Sequence, residues 1–278
     1  MYIPKISVII PLYNKEAIIG RTIQSVLSQS FQEFELIIVN DGSTDGSMEV
    51  VKSIHDDRII IVEQENGGPG KARNTGTAHC NCEWIVFLDA DDELLPNALE
   101  VFDHYIAKHS QANFIACPFY CDNGVDRTFM YPFTEGWLRN PFKAHFQNKF
   151  YVRTGSFICR KELLEVHPFN EKLRRYEDFE AWFRIFKDAI IFLCPFPSMV
   201  LKISYAEASK IRDRINVDFV GHLDFKGKSF WEYMCLYKLY LGERPYYKQE
   251  MDKLYPFLKY RYDLLLIYKI LNFLDNNA

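Results

Sequence analysis

The sequence has no surplus of positive charge: 33 Lys and Arg stand against 37 Asp and Glu, a formal net charge of −4. A nucleic-acid binder usually carries a basic excess and a basic stripe, so nucleic acid is not an expected partner. No window of about 18 uncharged apolar residues exists, which excludes a bilayer-spanning helix from the reading. The opening MYIPKISVIIPLYNKE is broken by two prolines and then by charge, the pattern of neither a secretory signal nor a membrane anchor. Paired C-x-x-C motifs are missing as well. The seven cysteines, Cys80, Cys82, Cys117, Cys121, Cys159, Cys194 and Cys235, fall in apolar segments and read as reduced thiols of a cytoplasmic protein. A zinc site built from the first four has the wrong spacing, and none of the seven histidines has the context of a ligand. Repeats and low-complexity segments are absent.

What is present is a folded chain, 48% apolar over 278 residues, long enough for one large domain with a smaller appendage. Residues 6–10, 36–39 and 59–62 are continuous apolar runs, as expected of strands covered on both faces. Between them Ile19, Ile23, Val26 and Leu27, and then Met48, Val51 and Ile54, recur at helical spacing. This βαβαβ alternation predicts a layered α/β domain. A glycine-rich turn at 66–70 leads into a helix near 71–77 and a strand over 84–88, after which Pro96 opens another helix. Short aromatic-rich strands are expected over 114–119 and 128–133, a helix over 178–187, and strands over 190–194 and 199–203. From about residue 206 the pattern turns helical, so the reading divides the chain into 1–205 and a C-terminal helical extension, 206–278.

The strand at 84–88 runs into Asp89, Asp91, Asp92 and Glu93, four acids within five positions. Like charges that close repel unless something positive sits among them. Asp89 and Asp91 can converge on one Mn²⁺ or Mg²⁺, whose remaining ligands would be waters and substrate phosphates. A second reading is helix capping, since acids favour a helix's first turn, and Glu93 is assigned that role. An EF-hand is arguable from spacing, but Leu94 stands where the loop needs glycine.

The order and spacing of VIIPLYN, VNDGSTDGS, NGGPGKARNTG and FLDADD resemble glycosyltransferase family 2, inverting enzymes of the GT-A fold. The resemblance implies a Rossmann-like, mainly parallel mixed sheet flanked by helices. It implies a nucleobase pocket lined by Pro11, Tyr13 and Asn14, with Asp41 accepting from a uracil N–H. It implies Arg73 near the diphosphate and ribose, Asp89 against the ribose, Ala90 among the donor-binding residues, and Asp91 as the metal ligand. The residues alone leave alternatives open: a core tyrosine at Tyr13, an Asx turn at Asp41, ordinary solvated helix charges at Lys71 and Arg73.

Downstream, RRYEDFEAW resembles the family's Glu-Asp pair before an aromatic helix, which implies Asp178 as catalytic base. A helix start fixes such a carboxylate in place, and Asp178 could equally be a plain N-cap. Family members often carry a histidine after the last strand; residues 200–209 have none, which leaves Lys202 or water to stand in. The expected activity is metal-dependent transfer from a UDP-sugar to a saccharide or lipid-linked saccharide acceptor. The alternative is a nucleotide-sugar-binding module without turnover. A sugar nucleotidyltransferase would need a glycine-rich, Lys-containing signature after the first strand, where PLYNKEA stands. The C-terminal segment, rich in Tyr, Phe and Leu among Lys and Arg, is open to three readings: packing on the catalytic domain, packing on a second copy, or peripheral contact with the inner membrane face.

Overall fold

The structure is a computed structural model that describes residues 4–203, 215–258 and 261–276, with side chains through residue 271. In chain order the first half contains β1 (Ile6–Leu12), α1 (Ile19–Leu27), β2 (Phe34–Asp41), α2 (Ser47–Ser53), β3 (Ile59–Gln64), α3 (Pro69–His79), β4 (Trp84–Phe87), β5 (Glu93–Leu94) and α4 (Ala98–Lys108). Then come β6 (Phe114–Ala116), β7 (Phe119–Asp122), β8 (Arg127–Met130), β9 (Gly136–Leu138), α5 (Pro141–Phe146), β10 (Phe157–Arg160), α6 (Lys161–Val166), α7 (Glu177–Ile185), β11 (Ile191–Leu193) and β12 (Met199–Lys202). The C-terminal part holds α8 (Phe230–Glu243), α9 (Lys248–Leu254) and α10 (Tyr262–Asn276).

Eight strands form the main sheet in the order β3-β2-β1-β4-β10-β6-β11-β9, and a four-stranded sheet runs β5-β12-β7-β8. β1 pairs in parallel with both β2 and β4, and β2 with β3. Side chains alternate across these strands: Ile6, Val8 and Ile10 enter one core with α1 and α4, while Ile9, Ile37 and Val39 enter the other with α3, α6 and α7. Both faces being covered is why the runs read as continuously apolar. α3 lies so close on β1 that a Cβ at Gly76 would collide with the Ile9 side chain.

Several expectations shift in register. The run at 114–119 is two strands, because Pro118 interrupts the ladder and the chain passes from the main sheet at β6 to the small sheet at β7. The second aromatic strand is β8, ending at Met130 rather than at residue 133. β10, inserted antiparallel between β4 and β6, was not expected at all; its FICR is too short for a period to show. The expected boundary at 205/206 lies outside the described residues. The C-terminal helices share a third core with the domain: Phe146 and Leu173 with Phe183 of α7 meet Met234, Cys235, Tyr237 and Tyr240 of α8. Tyr262, Leu266 and Ile270 of α10 stay exposed, and among the described residues no helix is long and apolar enough to cross a membrane.

Candidate active site

In open α/β sheets ligands sit beyond the carboxyl ends of the parallel strands. Here that edge opens into a cleft of about 710 Å³ whose walls include Pro11, Tyr13, Asp41, Arg73, Asp89, Ala90, Asp91 and Asp178. Every residue expected at the site lines it except Asn14. Asn14 adopts a left-handed backbone, φ 50°, and its Oδ1 accepts from the Thr44 amide at 2.8 Å while its own amide donates to Ser43 Oγ. It ties the β1 loop to the β2 loop and leaves the pocket wall to its neighbours. Tyr13 is 47% exposed, which disposes of the core-tyrosine reading.

Asp41 ends β2 almost fully buried. Its Oδ1 accepts from the Gly67 amide at 2.7 Å and from Gln64, and its Oδ2 from the Gly68 amide at 2.8 Å. The carboxylate thus holds the glycine turn that starts α3. Gly68 needs to be glycine twice over: its φ is 86°, and a Cβ there would strike the Arg174 guanidinium lying across it. Arg174 itself is exposed at the cleft mouth and makes no side-chain hydrogen bond or ion pair with the described residues.

The crowded acids each meet a protein partner. Arg73 is 3% exposed, so it is no solvated helix charge; it donates to Asp89 Oδ1 at 2.8 Å and to Glu177 Oε1 at 2.9 Å. Burial works against ionising Asp89, but the Arg73 charge and the hydroxyl of Thr154, 2.7 Å from Oδ2, hold its carboxyl below the usual range. Asp91 carries Lys15 Nζ at 2.7 Å; burial and then the Asp89 charge nevertheless raise it above an ordinary aspartate. Asp92 points away: it is buried, its Oδ1 accepts from the Lys202 amide, and its Oδ2 has no partner among the described residues. Burial, with the charges of Asp89 and Asp91, pushes it well above an ordinary carboxylate.

Two assignments change. Glu93 does not cap a helix; it lies in β5 and pairs with Arg21, because α4 begins only at Ala98 behind Asn97. Lys202 does not reach the cleft either: its Nζ binds Asp122 at 3.0 Å, on the small sheet. Residues 204–209 of that segment lie outside the described residues.

Asp178 stands in the first turn of α7. Its Oδ1 accepts the Phe179 amide at 2.7 Å, and Oδ2 makes no hydrogen bond to the described residues. Its neighbour Glu177 is buried and engaged by Arg73; burial and the adjacent Asp178 charge raise Glu177 above its ordinary value, against Arg73. The pair therefore divides into one acid locked in an ion pair and one that lines the cleft with an oxygen unbonded to the described residues. The preceding Tyr176 is left-handed, φ 57°, and is held from the C-terminal helices. Glu243 of α8 accepts from Tyr176 Oη at 2.8 Å and from Arg175 Nη2 at 2.9 Å, and Arg175 also donates to the buried Asp218. A small cavity under Asp178 is lined by Phe142, His145, Tyr151 and Trp182.

Lys15, Arg153, Arg174 and Arg175 also line the cleft, and the sequence reading gave none of them a role. Nothing in their spacing marks them, since isolated cations in loops look alike until the fold gathers them. A buried carboxylate ending β2, a buried guanidinium paired with Asp89 and a carboxylate at the start of α7 share one cleft, groups able to exchange hydrogen bonds with a polar ligand and to accept a proton.

Known proteins agree with this architecture. The solved structure of S. aureus TarS 1-349 in complex with UDP-GlcNAc superposes with a TM-score of 0.71 at 21% identity, over 87% of this chain and 73% of that one. The fold is therefore GT-A. In sequence the chain is 31% identical over 198 residues to the uncharacterized glycosyltransferase EpsJ of Bacillus subtilis, covering 67% of this chain and 57% of that protein. It is 29% identical over 196 residues to the GalNAc(5)-diNAcBac-PP-undecaprenol beta-1,3-glucosyltransferase of Campylobacter jejuni, covering 68% and 62%. It thus spans less than two thirds of either relative. The family profile described as Glycosyl transferase family 2 matches residues 7–167, and the chain belongs to that family.

Proposed function

We propose that the chain is an inverting glycosyltransferase that moves a sugar from a UDP-sugar to a hydroxyl of a saccharide or lipid-linked saccharide, in the cytoplasm. The observation that carries the reading is the single cleft lined by Asp41, Arg73, Asp89, Asp91 and Asp178 together. The donor class is supported by the S. aureus structures, which hold UDP-GlcNAc or UDP, and the acceptor class by the undecaprenol-linked substrate in the Campylobacter protein's name. Tyr13 offers a face for a base, and Asp41 has lone pairs for a ring N–H beside its glycine amides. Asp178 Oδ2 takes the acceptor proton as that oxygen attacks the anomeric carbon from the side opposite the diphosphate, which inverts the centre.

The residues also fit a divalent cation. Asp89 and Asp91 line the cleft and, among the described residues, are met at close range only by Arg73 and Lys15, while Asp92 turns into the protein. Asp91 is the acid that would hold Mn²⁺ or Mg²⁺ once Lys15 gives way; no group of three or more His, Cys, Asp or Glu converges among the described residues, so diphosphate oxygens and water would complete the shell. When bound, the metal supplies charge neutralisation at the diphosphate.

A module that binds without turnover has no use for an unpaired carboxylate at this position. The test is Asp178→Asn: transfer should fall by about 10²- to 10⁴-fold while calorimetry shows unchanged UDP affinity. Retained transfer at normal UDP affinity would remove Asp178 from the mechanism, and the same rates after chelation report on the metal.

A further inference from the structure

Arg153 is a cation of the cleft whose backbone is held in a tight turn and whose side chain makes no ion pair with any described residue. It sits in the loop before β10, where a tight turn fixes it. The Ser156 amide and hydroxyl both donate to the Arg153 carbonyl, at 2.8 and 2.9 Å, and the Arg153 amide donates to Ser156 Oγ at 2.7 Å. The next residue, Thr154, is buried and anchors the loop to Asp89. Gly155, φ 91°, presses against Met199 and Leu88, leaving no room for a Cβ.

The guanidinium lies over the Tyr151 ring, 5.0 Å from its centroid, and lines the cleft. Tyr151 is itself stacked on Tyr131 and on His145, so the platform cannot tilt away. The carboxylates of Asp89, Asp92 and Asp178 all act on Arg153 electrostatically. Yet its side chain makes no hydrogen bond or ion pair with any described residue. A partly exposed guanidinium that bonds none of the described residues keeps its donors available to a ligand. Its planar fork is suited to phosphate, which it binds through two parallel hydrogen bonds.

Resting on the UDP-sugar reading, we propose that Arg153 binds the outer phosphate of the donor diphosphate and holds it as it leaves. The acceptor oxygen forms its bond to the anomeric carbon and gives its proton to Asp178. The bond from that carbon to the diphosphate oxygen breaks, and its electron pair departs with the diphosphate, where Arg153 stays protonated and donates. A donor aimed at the site of developing charge contributes most in the transition state. Pairing Arg153 permanently with Asp178 would have made that carboxylate a weaker base, which is the chemical reason for keeping the two close and unbonded.

The test compares uridine, UMP and UDP by calorimetry in Mn²⁺ buffer on the wild type, Arg153→Gln and Arg153→Lys, with thermal melts of all three. The wild type should prefer UDP to UMP. Arg153→Gln should lose about tenfold or more of its UDP affinity, keep UMP and uridine within twofold, and lose roughly 10²-fold in kcat at constant acceptor KM; Arg153→Lys should recover part of the UDP preference. An Arg153→Gln variant that keeps the wild-type UDP-to-UMP ratio overturns the proposal, and a rise in acceptor KM alone would assign the residue to the acceptor instead. A wild type that binds none of the three would overturn the uridine reading itself, a different result.

Discussion

Arg73 satisfies two carboxylates from two distant segments, Asp89 after β4 and Glu177 at the start of α7, and stands over the Phe169 ring at 5.3 Å. Both acids raise its pKa against the burial that would lower it. An ion pair this deep adds little net stability when intact, because desolvation offsets the attraction, but removing one partner strands the other. Arg73→Met should therefore cost about 3–5 kcal/mol, read from urea denaturation, because two acids lose their counter-charge at once. Arg73→Lys should restore only part, since a single ammonium cannot reproduce the fork. The resemblance implied Arg73 near a diphosphate and ribose; the structure places it between Asp89 and Glu177. The sequence could not say that the residue is buried, because a helix charge at that spacing looks the same whether or not another segment covers it.

The start of α7 is a joint between two parts of the chain. Tyr176 holds a left-handed backbone that a non-glycine residue adopts at some cost, and it is pinned through Arg175 and Glu243 to α8. α8 was expected only as a helical segment with three candidate packing partners; the third core shows that its buried side lies on α5 and α7. Glu243→Gln keeps the shape and weakens the charge-assisted bonds. The expected result is a several-fold lower kcat with donor KM unchanged, because Asp178 loses a fixed approach while the nucleotide side of the cleft is untouched. Equal losses in donor affinity and in kcat would point to general unfolding instead. Elements with a long period, such as α1 and α4, were legible from apolar spacing alone. β9, α5 and β10 were not, because three to six residues carry no periodic signal and their pairing partners are far away in sequence.

Taken as a whole, the molecule should be acid-sensitive at a point outside the cleft at the strand ends. His145 lines the cavity under Asp178, stacked against Tyr151 and within reach of the charge of Lys238 on α8. Burial, then the Lys238 charge, lower its pKa to about 4, whereas a histidine in the unfolded chain titrates near about 6.5. Between these values the unfolded state binds more protons, so stability falls as pH drops through that window, by up to about 3 kcal/mol. His145→Phe should flatten the pH dependence of the denaturation midpoint between roughly pH 6.5 and 4; an unchanged slope would assign the sensitivity to other groups.

By itself the sequence determined the layered α/β class, the order of the first three strands and the membership of most of the site. Apolar periodicity is local physics, and the four motifs sit at strand ends, where backbone direction alone aims them into one crevice. Only the tertiary structure decided how the acids of FLDADDEL are neutralised, with Arg73 on Asp89, Lys15 on Asp91, Arg21 on Glu93 and Asp92 turned into the protein. It also decided that Arg153 lines the cleft without an ion pair to any described residue. Charge pairing depends on distances between segments a hundred residues apart, and those distances exist only after the sheet has brought the segments together.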